Sequence, residues 1–98
     1  MAASGPYLGS ADGDSRHRVS FSVRGDRVRN LRVDGRDMAP SARIVDGSVA
    51  CGHLGFEMTA DWVDENHVEG TVKMRGRWAR PVSFSFHARR RVGDVLSG

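Results

Sequence analysis

The sequence predicts an all-β domain, an antiparallel meander of seven to eight short strands forming a small sandwich or a flattened barrel. Three observations predict it. Apolar residues recur at every second position wherever a period is visible, the pairs Gly25-Asp26 and Asp46-Gly47 fall between alternating runs, and no stretch holds a helical period. The 98 residues are read as one domain, 1–98, because either half alone would be too small to hold a core.

From the N-terminus, residues 8–16 are rich in Gly, Ser and Asp and read as a flexible loop, with Tyr7-Leu8 before it as a short edge strand. Residues 17–23 alternate, and Gly25-Asp26 suits a type II′ turn with glycine supplying the positive φ. Val23 then faces Val28. Further along, strict pairing would set Phe21 against Asn30, so a β-bulge near Arg29-Asn30 is expected to bring Phe21 to Leu31 and Val19 to Val33. The stretch from Asp34 to Ala42 has room for a turn of helix at most, since Gly35 and Pro40 interrupt it. Asp46-Gly47 is a type I′ signal between Ile44-Val45 and Ser48-Val49, predicting a short hairpin.

Leu54, Phe56, Met58, Ala60 and Trp62 make the clearest strand, and Val68, Gly70, Val72 and Met74 make its partner across a polar connection, 63–67. Setting Trp62 against Val68 aligns Ala60 with Gly70, Met58 with Val72 and Phe56 with Met74. A slip of one residue would turn this whole apolar face to water. Val82, Phe84, Phe86 and Ala88 form the last long strand, with Pro81 at its start where a missing N–H does least harm. The tail 92–98 is expected to fray. Phe56, Met58, Trp62, Val68, Val72, Phe84 and Phe86 are expected in one contact cluster.

Gly5, Tyr7, Gly9, Val19-Ser-Phe-Ser-Val23, Gly25, Val28, Asn30-Leu31, Cys51, Phe56 and Val68-Glu-Gly-Thr-Val72 give the pattern G-x-Y-x-G, F-x-V-x-G-x-x-V-x-x-L, C, F, V-x-G-x-V. In this the chain resembles small bacterial all-β domains of unassigned function over about residues 5–88. The resemblance implies an antiparallel β-fold, no assigned activity and an export signal ahead of the domain. The N-terminal residues show no basic stretch followed by an apolar run, which predicts a cytoplasmic location for a full-length chain. No apolar run approaches the roughly 20 residues of a membrane-spanning helix, so no membrane span is expected.

The net charge of +3 conceals a pattern. Residues 16–32 hold six arginines against Asp26, whereas residues 33–70 hold eight carboxylates against Arg36 and Arg43. Residues 71–98 turn basic again, with Arg75, Arg77, Arg80 and Arg89 to Arg91. Fourteen Arg against one Lys also fits a GC-rich genome, and a solvated surface is the plain reading. The leading functional expectation is a non-enzymatic interaction module, without cofactor, that presents these hairpins to a protein partner or to a second copy of itself. The alternative is nucleic-acid binding through Arg16, Arg18, Arg27, Arg29, Arg75, Arg77 and Arg80, with Trp78 and Tyr7 as the aromatics left over for stacking. A third reading is a small-molecule-binding barrel, which a chain of this length leaves little room for.

Sites of chemistry are sparse. Asp61 falls opposite Glu69 in the register above, with His67 two residues away, and their repulsion makes Asp61, His67 and Glu69 a candidate for Ca²⁺ or Mn²⁺. No recognisable loop spacing supports it. Asp12-Gly-Asp-Ser15 lacks the closing glutamate of a calcium loop. Cys51 and His53 share a strand face without an orienting carboxylate, so no catalytic residue is assigned. Arg24-Gly25-Asp26 matches an adhesion tripeptide, but turn chemistry already explains it.

Overall fold

Alternation is realised almost position by position in the computed structural model, which describes residues 2–38, 41–53, 55–75 and 81–91. The described strands are β1 (Gly5–Ala11), β2 (Asp14–Arg24), β3 (Arg27–Val33), β4 (Arg36–Asp37), β5 (Ala42–Arg43), β6 (Ser48–His53), β7 (Phe56–Asp64), β8 (His67–Met74) and β9 (Val82–Arg90). They form one antiparallel sheet in the order β4-β3-β2-β1-β9-β8-β7-β6, with β5 also on β3. Two meanders are thus joined by the β1–β9 pair, whose partners stand at opposite ends of the chain.

The sheet is a single curled half-barrel, not a sandwich of two sheets. Its curl is fixed by aromatics that reach over the intervening strands. Tyr7 on β1 stacks on Phe21 of β2 at 5.1 Å, and Trp62 on β7 meets both edge-on, at 5.8 and 6.1 Å. The concave side holds one apolar cluster, from Val19, Leu31 and Val33 at one end to Met58, Val68, Val72 and Phe86 at the other. Trp62 and Phe84 lie half-buried at its margin, so the expected cluster exists as part of a larger core.

The expected registers hold. Trp62 pairs with Val68, Ala60 with Gly70, Met58 with Val72 and Phe56 with Met74. Gly25, at φ 62°, opens the β2–β3 turn. The bulge falls where expected: Ser22 faces Arg29 and Ser20 faces Arg32, leaving Phe21 against two residues, with Asn30 at φ 55°. Asp46 and Gly47 both take positive φ, 52° and 74°, as a type I′ turn requires. Gly70 is required by close approach, because a Cβ there would lie 2.4 Å from the Thr59 carbonyl oxygen and 2.7 Å from the Phe86 ring.

Five expectations are revised. Residues 8–16 are not a loop: β1 runs to Ala11 and β2 starts at Asp14, so only Asp12-Gly13 turns. Nor is Tyr7 on an edge, since β1 lies between β2 and β9. The Asp46-Gly47 hairpin closes with a single bridge, Val45 to Ser48, because the chain before it, Ala42–Arg43, is drawn onto β3. The 63–67 connection shrinks to a tight turn with a bulge at Val63, as Asp64 pairs with His67. From Asp34 to Arg43 there is no helical turn among the described residues, only the short strands β4 and β5. Leu54, residues 76–80 and the tail 92–98 lie outside the described residues.

No described segment forms a helix long and apolar enough to cross a membrane. Every buried position among the described residues carries an apolar or tyrosine side chain, so the concave interior is filled by the chain itself. An open groove of about 650 Å³ lies at one end, lined by Phe56, Met74, Pro81 and Val82 with Glu57, Lys73 and Arg75.

Candidate functional site

With the concave side filled, the polar residues of each strand are turned to the convex outer face. Cross-strand pairing assigns them to rows, because residues directly opposite each other share a face. One row crosses the end of the basic hairpin: Arg24 faces Arg27, and Arg27 faces Arg43 on β5. Two residues along β3, Arg29 faces Ser22, and beyond the bulge Arg32 faces Ser20. A further row runs Arg18, Ser10, His87, Glu69 and Asp61 across β2, β1, β9, β8 and β7. The outer face is therefore basic over β2, β3 and β5, whereas over β7 and β8 it sets Asp61 against Glu69 and Glu57 against Lys73.

Within the basic region, like charges stand directly opposite each other. Arg43 donates from Nε to Asp26 Oδ2 at 2.8 Å, and this contact holds the Asp26 carboxyl below its ordinary value. Among the described residues, no carboxylate lies within ion-pair distance of the guanidiniums of Arg24, Arg29 and Arg32. Arg18 contributes its backbone N–H to Asp34 at 2.8 Å, and Asp34 also meets His17 Nδ1 at 2.9 Å. Partial burial would raise the Asp34 pKa, but the His17 and Arg18 contacts outweigh it and hold the carboxyl low.

The row through Asp61 and Glu69 is organised by a residue that the sequence did not single out. His87 meets Asp12 through Nδ1 and Glu69 Oε1 through Nε2, the latter at 2.9 Å. The Asp12 contact first, then Glu69, raises its pKa above the ordinary 6.5. Asp61 accepts a hydrogen bond from Ser48 Oγ. The Asp61–Glu69 repulsion is thus relieved from within the chain.

The candidate metal trio is not assembled. His67 Nε2 accepts from Arg89 Nε at 3.0 Å and its Nδ1 lies 3.7 Å from Asp64, so the imidazole beside Glu69 is that of His87. A directly opposite neighbour is about 5 Å away between Cβ atoms, whereas a residue two positions along the same strand is about 7 Å away. Among the described residues no three His, Cys, Asp or Glu side chains are disposed to hold a metal ion. Asp12 belongs to the His87 contact.

Of the other candidates, Arg16 is exposed within the irregular start of β2, and Arg27 and Arg29 lie in the basic region. Arg75 is exposed beyond β8, at the opposite side of the sheet, and its N–H donates to the Gly55 carbonyl at 2.7 Å. Arg77, Trp78 and Arg80 lie outside the described residues, as does the side chain of His53. Tyr7 is corrected from a surface aromatic to a core one, at 1% exposure. Its hydroxyl accepts from Trp62 Nε1 at 3.1 Å and lies 2.8 and 2.9 Å from the carbonyl oxygens of Ala3 and Glu65. Cys51 is buried, and burial pushes its thiol pKa up, away from nucleophilic use.

The chain matches no protein-family model, no curated protein and no solved structure. The resemblance to small bacterial β-domains accordingly rests on its strand-and-turn pattern alone.

Proposed function

We propose that this protein is a non-catalytic interaction module whose convex arginine face docks an acidic macromolecular partner. The observation that supports it is the Arg24–Arg27–Arg43 row with Arg29 and Arg32 beside it. Guanidiniums set opposite one another oppose folding of the free domain, and a ligand that brings anions relieves them. Curvature favours a separate partner over a second copy. Two convex faces meet along a narrow strip, short of the roughly 1,200 Å² that a specific interface buries.

The test uses retention on immobilised heparin as a generic polyanion. Arg29→Gln with Arg32→Gln should elute at clearly lower salt than the wild type. Lys73→Gln with Arg75→Gln removes the same charge from the other side of the sheet and should elute close to the wild type. Equal losses for the two pairs would mean that net charge, not this face, governs binding.

A further inference from the structure

We infer that the arginine ladder of Arg24, Arg27, Arg43 and Arg29 anchors the phosphodiester backbone of a nucleic-acid duplex, held through phosphates without base stacking. The inference rests on the reading of the arginine face as a docking surface and names what docks there.

Anion density decides the class of partner. Adjacent strands lie about 5 Å apart and alternate residues about 7 Å apart, so the four arginines spring from a patch of sheet roughly 10 Å across. Of these, among the described residues, Arg43 alone has a hydrogen-bonded carboxylate, Asp26. Matching such a patch takes several anions within about 10 Å, and duplex DNA carries one phosphate charge per ~1.7 Å of its axis whatever its sequence. A folded protein that crowded carboxylates as tightly would be opposed by their mutual repulsion, as the Asp61–Glu69 pair here is until His87 and Ser48 engage it. Guanidinium forks also match phosphate oxygens in pairs, which a point charge does not.

The lack of stacking follows from burial. Among the described residues no Phe, Tyr or Trp is exposed: Tyr7, Phe21, Phe56 and Phe86 are buried, and Trp62 and Phe84 are half-buried against the core. Single strands are gripped through bases stacked on exposed rings, and this face offers none. What remains is backbone contact, which is blind to sequence and steep in salt.

The experiment is fluorescence anisotropy on the full chain with four probes: two unrelated DNA duplexes of about 20 base pairs, an oligo-dT of equal length, and a poly-glutamate peptide of similar charge, between about 50 and 200 mM salt. The two duplexes should bind within about twofold of each other, with a slope of log K against log salt near −3.6 for four phosphate contacts. Oligo-dT and poly-glutamate should bind at least tenfold more weakly. Arg24→Gln/Arg27→Gln/Arg43→Gln should keep its far-UV circular dichroism and flatten the slope by about 2 to 3. The matching Arg→Lys triple variant should keep the slope and lose affinity, because charge remains while the forks are lost. Poly-glutamate bound as tightly as duplex would overturn the phosphate inference and leave the docking reading standing. Binding to none of the probes would overturn both, and a Gln variant that binds like the wild type would remove the ladder from the site.

Discussion

Replacing Tyr7 by Phe removes one oxygen atom and leaves the core ring in place, so the effect can be worked from three contacts. The ring keeps its stack on Phe21 at 5.1 Å. Lost are the hydrogen bond accepted from Trp62 Nε1 and the one donated to the carbonyl of Ala3 or of Glu65, since a phenol has one proton and the two carbonyls compete for it. Each such bond contributes about 0.5–1.5 kcal/mol net, and the site is closed enough that water replaces the hydroxyl only in part. The expected loss is about 1–3 kcal/mol, set against a total of roughly 5–15 kcal/mol for a domain of this size. That corresponds to a fall in Tm of roughly 5–20 °C. Urea unfolding followed by far-UV circular dichroism and by tryptophan emission should show a lower midpoint at unchanged m. Faster hydrogen exchange at Ala3, whose N–H donates to the Glu65 carbonyl, should accompany it. A loss below about 0.5 kcal/mol would refute the claim that this hydroxyl ties the N-terminal residues and β7 across the open side of the half-barrel.

Trp62→Ala should cost about 3 kcal/mol, the low end for a large aromatic because the indole is half-buried, as read by the same urea titration. Gly70→Ala should cost about 1–3 kcal/mol through the clash with the Thr59 carbonyl and the Phe86 ring, and a neutral result in thermal unfolding would show that β7 and β8 yield there at no cost. Because its pKa is raised on folding, His87 contributes stability that is fully present below its ordinary pKa of 6.5 and is lost as pH rises through the elevated folded value. An NMR titration of its ring should therefore give a midpoint above 6.5, and Asp12→Asn should bring it down more than Glu69→Gln does, in the order of the two contacts.

What the sequence disclosed was whatever depends on neighbours along the chain. The β7–β8 register, the bulge opposite Phe21 and both turns follow from period two and from which residues tolerate positive φ, and each is decided within about twenty residues. What it concealed came from long-range pairing. Tyr7 looks peripheral because Gly5, Gly9 and Ser10 around it resemble a loop, yet Gly9 is what lets β9 approach: a Cβ there would fall 1.8 Å from the His87 carbonyl oxygen. The same β1–β9 and β8–β9 pairs bring Asp12 and Glu69 to His87, 75 and 18 residues apart in the chain, and no local spacing announces such a trio. Arg43 joined the basic row for a similar reason, through β5 on β3 and not through its own hairpin. Arg32 could have been found, since the bulge that turns Leu31 and Val33 inward also turns it out.

The central claim is that the convex surface over β2, β3 and β5 is where a polyanion sits. Its most direct test is an amide chemical-shift titration of the ¹⁵N-labelled chain with a short heparin fragment. The account predicts that the largest shifts and line broadening fall on Arg24, Arg27, Arg29, Arg32 and Arg43, shrink as salt is raised, and leave Thr59, Asp61 and Thr71 unmoved. Shifts centred on the groove between Phe56, Met74 and Val82, or spread evenly over every basic residue, would contradict it.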